Sequence, residues 1–109
     1  MKVSFDFDHT LTNPKYQELA KKFIDLGTDV YITTSRKANS NNVKLPYDNR
    51  EVFAMAQKLG IKSLNVRFTE TQLKYSFLKD FDMHFDDDEE EIFTINEHPG
   101  KCLGILIAE

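Results

Sequence analysis

The chain has 109 residues, 40% of them apolar and 29% charged, with one cysteine and a formal charge of −4. That length suits a single domain, residues 1–109, whose core folds without disulfides or a structural metal, and it leaves no room for a second domain. The acidic balance disfavours a protein that holds nucleic acid through a broad basic surface. The longest apolar run, Leu103 to Ala108, falls far short of the roughly 20 residues that span a bilayer. Asp6 follows Lys2 too closely for a secretory leader. The lone Cys102 offers neither an internal disulfide nor a cysteine zinc site, as expected in a reducing, cytoplasmic setting.

Short runs of β-branched and aromatic residues alternate with segments of helical period, which predicts an α/β fold: a doubly wound, Rossmann-like three-layer sandwich around a five-stranded parallel sheet. The first strand is expected over Lys2 to Phe7 (KVSFDF). A helix follows from Pro14, with Tyr16, Leu19, Ala20, Phe23 and Ile24 at inward spacing and Gly27 as its end. The second strand is DVYIT, Asp29 to Thr33, and the next helix starts at a capping-box-like Asp48 and Glu51 and stops at Gly60. LNVRF, Leu64 to Phe68, is the third strand, followed by a helix expected from about Thr71 with Leu73, Phe77, Leu78 and Phe81 inward. DMHF, Asp82 to Phe85, is the fourth. A last helix is placed within Asp87 to Glu97 with Ile92, Phe93 and Ile95 buried, before the fifth strand, Leu103 to Ile107.

Residues 36–50 make a long polar connection carrying Arg36, Lys37, Lys44 and Arg50 against Asp48 alone. Such loops are usually functional or mobile, and this one leaves the carboxyl end of a strand, the side on which parallel sheets bind ligands. The stretch 96–101 enters the amino end of the fifth strand and belongs on the opposite side. Asp6 and Asp8 close the first strand, and Asp86, Asp87 and Asp88 close the fourth. Were those two strands neighbours, four of these carboxylates would converge. An all-oxygen set of that kind suits a hard cation, and magnesium in particular when a phosphate shares the site.

DFDHTLT, with VYITTSR, Lys74 and MHFDDD following in order, resembles the four motifs of the haloacid dehalogenase-like phosphatases, over essentially the whole chain. The resemblance implies a magnesium-dependent phosphomonoester hydrolase. Asp6 would be the nucleophile that forms an aspartyl-phosphate, and Asp8 the general acid and then base. Thr34 would bond a phosphoryl oxygen, with Thr33 and Ser35 as alternatives for that hydroxyl, and Lys74 would neutralise charge. Mg2+ would be held by Asp6, Asp86 and the backbone carbonyl of Asp8, with Asp87 as a direct or outer ligand. His9, Thr10, Ser35, Arg36, Lys37, Lys44 and Arg50 are the candidate substrate contacts.

Only Thr12 and Asn13 separate the first motif from Pro14, which leaves no room there for the cap domain that usually sets specificity in that family. Capless members act on exposed phosphates of macromolecules or close the site by forming oligomers. The expected partner is therefore a phosphorylated small molecule or macromolecule, with nucleotides and nucleic-acid ends the leading choice, and no membrane. A phosphotransferase, a receiver-type phosphoacceptor and an idle binding module are the rival readings. The receiver lacks its Asp, since the third strand ends in Arg67, Phe68 and Thr69. His84 is read as a packed strand residue, His98 as structural, and Asp88 to Glu91 as a solvated helix start favoured by the helix dipole.

Overall fold

The computed structural model describes residues 1–39, 44–98 and 100–108. Five parallel strands, β1 (Lys2–Phe5), β2 (Asp29–Thr34), β3 (Val66–Phe68), β4 (Met83–Asp86) and β5 (Leu103–Leu106), form one sheet in the order β3-β2-β1-β4-β5. The chain winds outward from β1 to β3, then returns across the sheet to β4 and β5. This is the expected doubly wound architecture, and β1 is the strand at which the winding reverses. Phe5 lies opposite Ile32 of β2 and Phe85 of β4, so the carboxyl ends of β1 and β4 stand side by side at that reversal.

Strand alternation divides the interior in two. On one face Val3, Phe5, Val30, Ile32 and Phe85 pack against α1 (Pro14–Asp25) and α2 (Arg50–Leu59), through Tyr16 and Ala20 of the first and Val52, Ala56 and Leu59 of the second. The rings of Phe5 and Phe85 stack with centroids 4.8 Å apart. Each buried aromatic ring of this kind contributes on the order of 2–3 kcal/mol. On the other face Tyr31 packs with Leu78, Phe81 and with Ile92 and Ile95 of α3 (Glu89–Glu97). Here the sheet also carries polar residues: Ser4 and Thr33 are buried, and their hydroxyls lie 2.6 Å apart.

The helix ends follow local chemistry. Pro14 opens α1, and the Asn13 side chain accepts from the Lys15 amide at 3.0 Å. Gly60, at φ 85°, closes α2 in the left-handed conformation that glycine tolerates best. The Asp88 carboxylate caps α3 by accepting from the Glu90 amide at 2.9 Å, so Asp88 is a helix cap and more than a solvated charge.

Three expectations need correction. Residues 71–81 do not form a helix; a single 3₁₀ turn, Lys74–Phe77, stands there. Residues 69–82 must return to the amino end of β4 while passing β2 and β1, and extended backbone covers about twice the distance per residue that a helix does. Leu78 and Phe81 still reach the core as expected. The start of α2 is not a capping box: Asn49 is the capping position, its side chain bonding Lys37 and no helix amide, while Asp48 binds Arg50 and Glu51 turns to Arg36. Phe93 is 66% exposed, because one helical step from Ile92 rotates it off the inward stripe. No helix among the described residues is long and apolar enough to cross a membrane.

Candidate active site at the carboxyl ends of the central strands

After Phe5 the chain stays paired for one more residue, the Asp6 amide donating to the Phe85 carbonyl at 2.9 Å, and then turns. Asp8 is extended at φ −64°, and His9 takes the left-handed conformation at φ 61°. A non-glycine residue held there costs roughly 1 kcal/mol, and the result is a tight reversal that leaves Asp6 pointing over the strand ends. Thr10, fully buried in the same turn, places its hydroxyl 3.4 Å from Asp6 Oδ2 and 3.4 Å from Asp87 Oδ1. Thr10 is thus a strut between two acids and not an exposed contact.

Lys74 is 2% exposed and its ammonium bridges the two central strands, donating to Asp6 Oδ1 at 2.8 Å and to Asp86 Oδ2 at 2.7 Å. The short turn that carries it is tied down by Glu91, whose Oε1 accepts from the Lys74 amide at 3.1 Å. Glu91 was expected on a solvated face and is instead buried. The signal for it was its position four residues before Ile95, on the inward stripe of the helix. Behind Asp86 sits His84, fully buried, with Nε2 2.8 Å from Asp86 Oδ2. A carboxylate only accepts, so Nε2 carries the proton. Nδ1 is left as a bare acceptor without a partner among the described residues.

These contacts set the proton affinities. Burial pushes Asp6 well above the usual carboxylate range, against the opposing pull of Lys74. Burial also opposes charge on Asp86, but the His84 hydrogen bond and the Lys74 ammonium prevail and hold it down to about 2. Lys74 suffers the same burial, and the charges and hydrogen bonds of Asp6 and Asp86 more than offset it, so its pKa is raised and the ammonium persists. Burial lowers the His84 pKa below its ordinary value, which keeps the ring neutral.

Asp6, Asp86 and Asp87 each offer a carboxylate oxygen, all within 4.8 Å of one another. A cation among them would favour the ionised form of all three, which would then exceed the Lys74 ammonium by two negative charges. An all-oxygen set with that excess fits a small divalent cation such as magnesium. The crevice above, of about 180 Å³, is lined by Asp6, Asp8, His9, Ser35, Lys74, Asp86, Asp87, Asp88 and Glu91. A larger depression of about 300 Å³ lies at the amino end of β2, beside Gly27, Thr28 and Lys62; it gathers no comparable set of acids.

The remaining sequence-derived residues divide. Thr34 is fully buried and its hydroxyl accepts from the Arg36 amide at 3.3 Å. By alternation it shares the side of Ile32, and Thr33 is engaged with Ser4. Of the three residues carrying hydroxyls in TTSR, Ser35 is the one that lines the crevice, with Thr34 buried next to it. Arg36 is 7% exposed and turned inward, gripping both oxygens of Asp8 at 2.9 and 2.7 Å. Lys37 and Lys44 are exposed and do not line the crevice. Arg50 pairs with Asp48 in an exposed ion pair. Residues 40–43 of the basic loop lie outside the described residues. No family model matches this chain, and no curated protein matches it significantly.

Proposed function

We propose that this protein is a magnesium-dependent phosphomonoester hydrolase working through an aspartyl-phosphate on Asp6. The observation that carries the reading is the buried Asp6, Lys74 and Asp86 array, with Lys74 Nζ 2.8 and 2.7 Å from the two carboxylates, at the point where the winding of a parallel sheet reverses. Ligands of open α/β sheets bind at that point. A reaction whose transition state spreads charge over phosphoryl oxygens needs such positioning and neutralisation above all. Asp6, Asp86 and Asp87 would hold the metal, joined by the Asp8 carbonyl as the resemblance to haloacid dehalogenase-like phosphatases implies. Bound magnesium would supply electrostatic stabilisation of the charged phosphoryl group.

The protein's own residues divide the work. Asp6 attacks phosphorus as the ionised carboxylate, a form that Lys74 favours against the cost of burial. The bond from phosphorus to the ester oxygen breaks, and that oxygen takes a proton from Asp8. In the second step Asp8 takes a proton from water as the water oxygen attacks phosphorus. The bond to Asp6 then breaks, releasing inorganic phosphate and restoring both carboxyl groups. Ser35 stands at the crevice to donate to a phosphoryl oxygen. The open crevice suits a phosphate presented at the end of a larger molecule, nucleotides and polynucleotide ends first among them.

The test is phosphate release with magnesium over nucleotides, sugar phosphates, phosphopeptides and phosphate-ended oligonucleotides, beside Asp6→Asn. The wild type is expected to release phosphate from at least one class, and Asp6→Asn to lose at least about a thousandfold. Activity unchanged in Asp6→Asn would remove the nucleophile assignment.

A further inference from the structure

Arg36 presents five N–H donors, and each faces an acceptor inside the protein. Nε and Nη2 bind Asp8 Oδ2 and Oδ1 at 2.9 and 2.7 Å, a two-pronged contact. Nη2 also binds Glu51, while Nη1 faces the Asp48 carbonyl at 3.4 Å and Asn49 Oδ1 at 3.5 Å. The guanidinium lies 5.0 Å from the Phe7 ring centre and 4.6 Å from that of Tyr47. The loop is built around this group: the Tyr47 hydroxyl accepts from the Lys37 amide at 2.7 Å, and Asn49 donates to the Lys37 carbonyl at 2.8 Å. A side chain this engaged has no donor to spare for a substrate.

The geometry points to Arg36 as a positioning residue for Asp8, fixing the direction in which the acid and base carboxylate faces the crevice and fastening it to the start of α2. The inference rests on the phosphatase reading above and adds to it a residue that acts through Asp8. Arg is suited to the task where Lys is not, because only the planar fork holds both carboxylate oxygens at once. Glu51 and the two rings hold the fork in turn, so that the loop following β2 controls a group on the loop following β1.

A leaving-group comparison tests this. A p-nitrophenolate departs without a proton, whereas an alkoxide needs one from Asp8 by the time the aspartyl-phosphate forms, the step that kcat/KM reports. Wild type, Arg36→Lys, Asp8→Asn and the double variant are assayed with magnesium on p-nitrophenyl phosphate and on n-butyl phosphate. Arg36→Lys is expected to lower kcat/KM on the butyl ester at least about tenfold more than on the nitrophenyl ester. Added to Asp8→Asn, it should change the butyl rate by less than about twofold, as for residues acting in one unit. Equal losses on both esters, or losses that multiply in the double variant, overturn the inference and leave the phosphatase reading standing. A wild type that hydrolyses neither these esters nor any of the substrate classes above overturns both. If Arg36→Lys fails to fold, Glu51→Gln, at a half-exposed carboxylate, loosens the same guanidinium. It should give a smaller loss confined to the butyl ester, and a uniform loss there overturns the inference as well.

Discussion

Lys74 is the residue on which the site turns. Two buried carboxylates facing each other across β1 and β4 would repel and seek protons; the ammonium between them makes the arrangement stable. Replacing it by Met leaves two desolvated acids uncompensated. Lys74→Met should therefore lose about 3–5 kcal/mol in urea unfolding with chelator present, with part of the loss recovered by saturating magnesium. A loss below about 1 kcal/mol would mean that the acids are relieved in some other way. Lys74 was legible in the sequence only through its order among the motifs, because nothing in the surrounding LKYSF marks a buried lysine. Asp6 and Asp86 were easier to find, since acids at the ends of apolar strands stand out. The sequence favoured Thr34 among three hydroxyls only through the resemblance, because the exact end of a strand, and hence which side each residue faces, is not written in a run such as TTSR.

At the scale of elements, the short turn Lys74–Phe77 depends on its neighbour. Its capping position, Leu73, offers no side-chain bond, and the Glu91 carboxylate of α3 takes the first amide instead. Glu91→Ala leaves that buried amide without an acceptor and should cost about 1–3 kcal/mol in urea unfolding. Glu91→Gln, which keeps an acceptor oxygen, should lose clearly less; equal losses would assign the effect to charge. The helix expected over 71–81 failed because local period is silent about the distance a crossover must travel. Of the apolar residues that suggested it, Leu78 and Phe81 are buried all the same, whereas Phe77 is half-buried and Leu73 exposed. The capping-box-like Asp48 and Glu51 failed for a related reason: Glu51 turns to Arg36 at the far end of the same connection, while the Asp48 carboxylate binds the amide and guanidinium of Arg50.

For the whole molecule, the buried neutral His84 makes stability depend on pH. Burial depresses its folded pKa below the ordinary histidine value of 6.5, so the unfolded chain binds a proton that the folded one refuses. The stabilisation is complete above about pH 6.5 and declines as the pH falls towards the folded value, by up to about 1.4 kcal/mol per pH unit. Without magnesium, wild type should thus lose more stability between pH 8 and pH 5.5 than His84→Gln, which cannot titrate there. Parallel losses in the two proteins would show that His84 accepts its proton inside the fold.

The pattern of apolar residues carried the α/β class, the five strands and the placing of acids at two strand ends, because burial of side chains at period two or 3.6 leaves its mark on neighbouring positions in the chain. Strand order, the approach of Lys74 to Asp6 and Asp86, the burial of Glu91 and the grip of Arg36 on Asp8 arise between residues far apart in sequence. Each is settled by which elements become neighbours and how far a connection must reach. Those are properties of the folded sheet, on which local periodicity has no bearing.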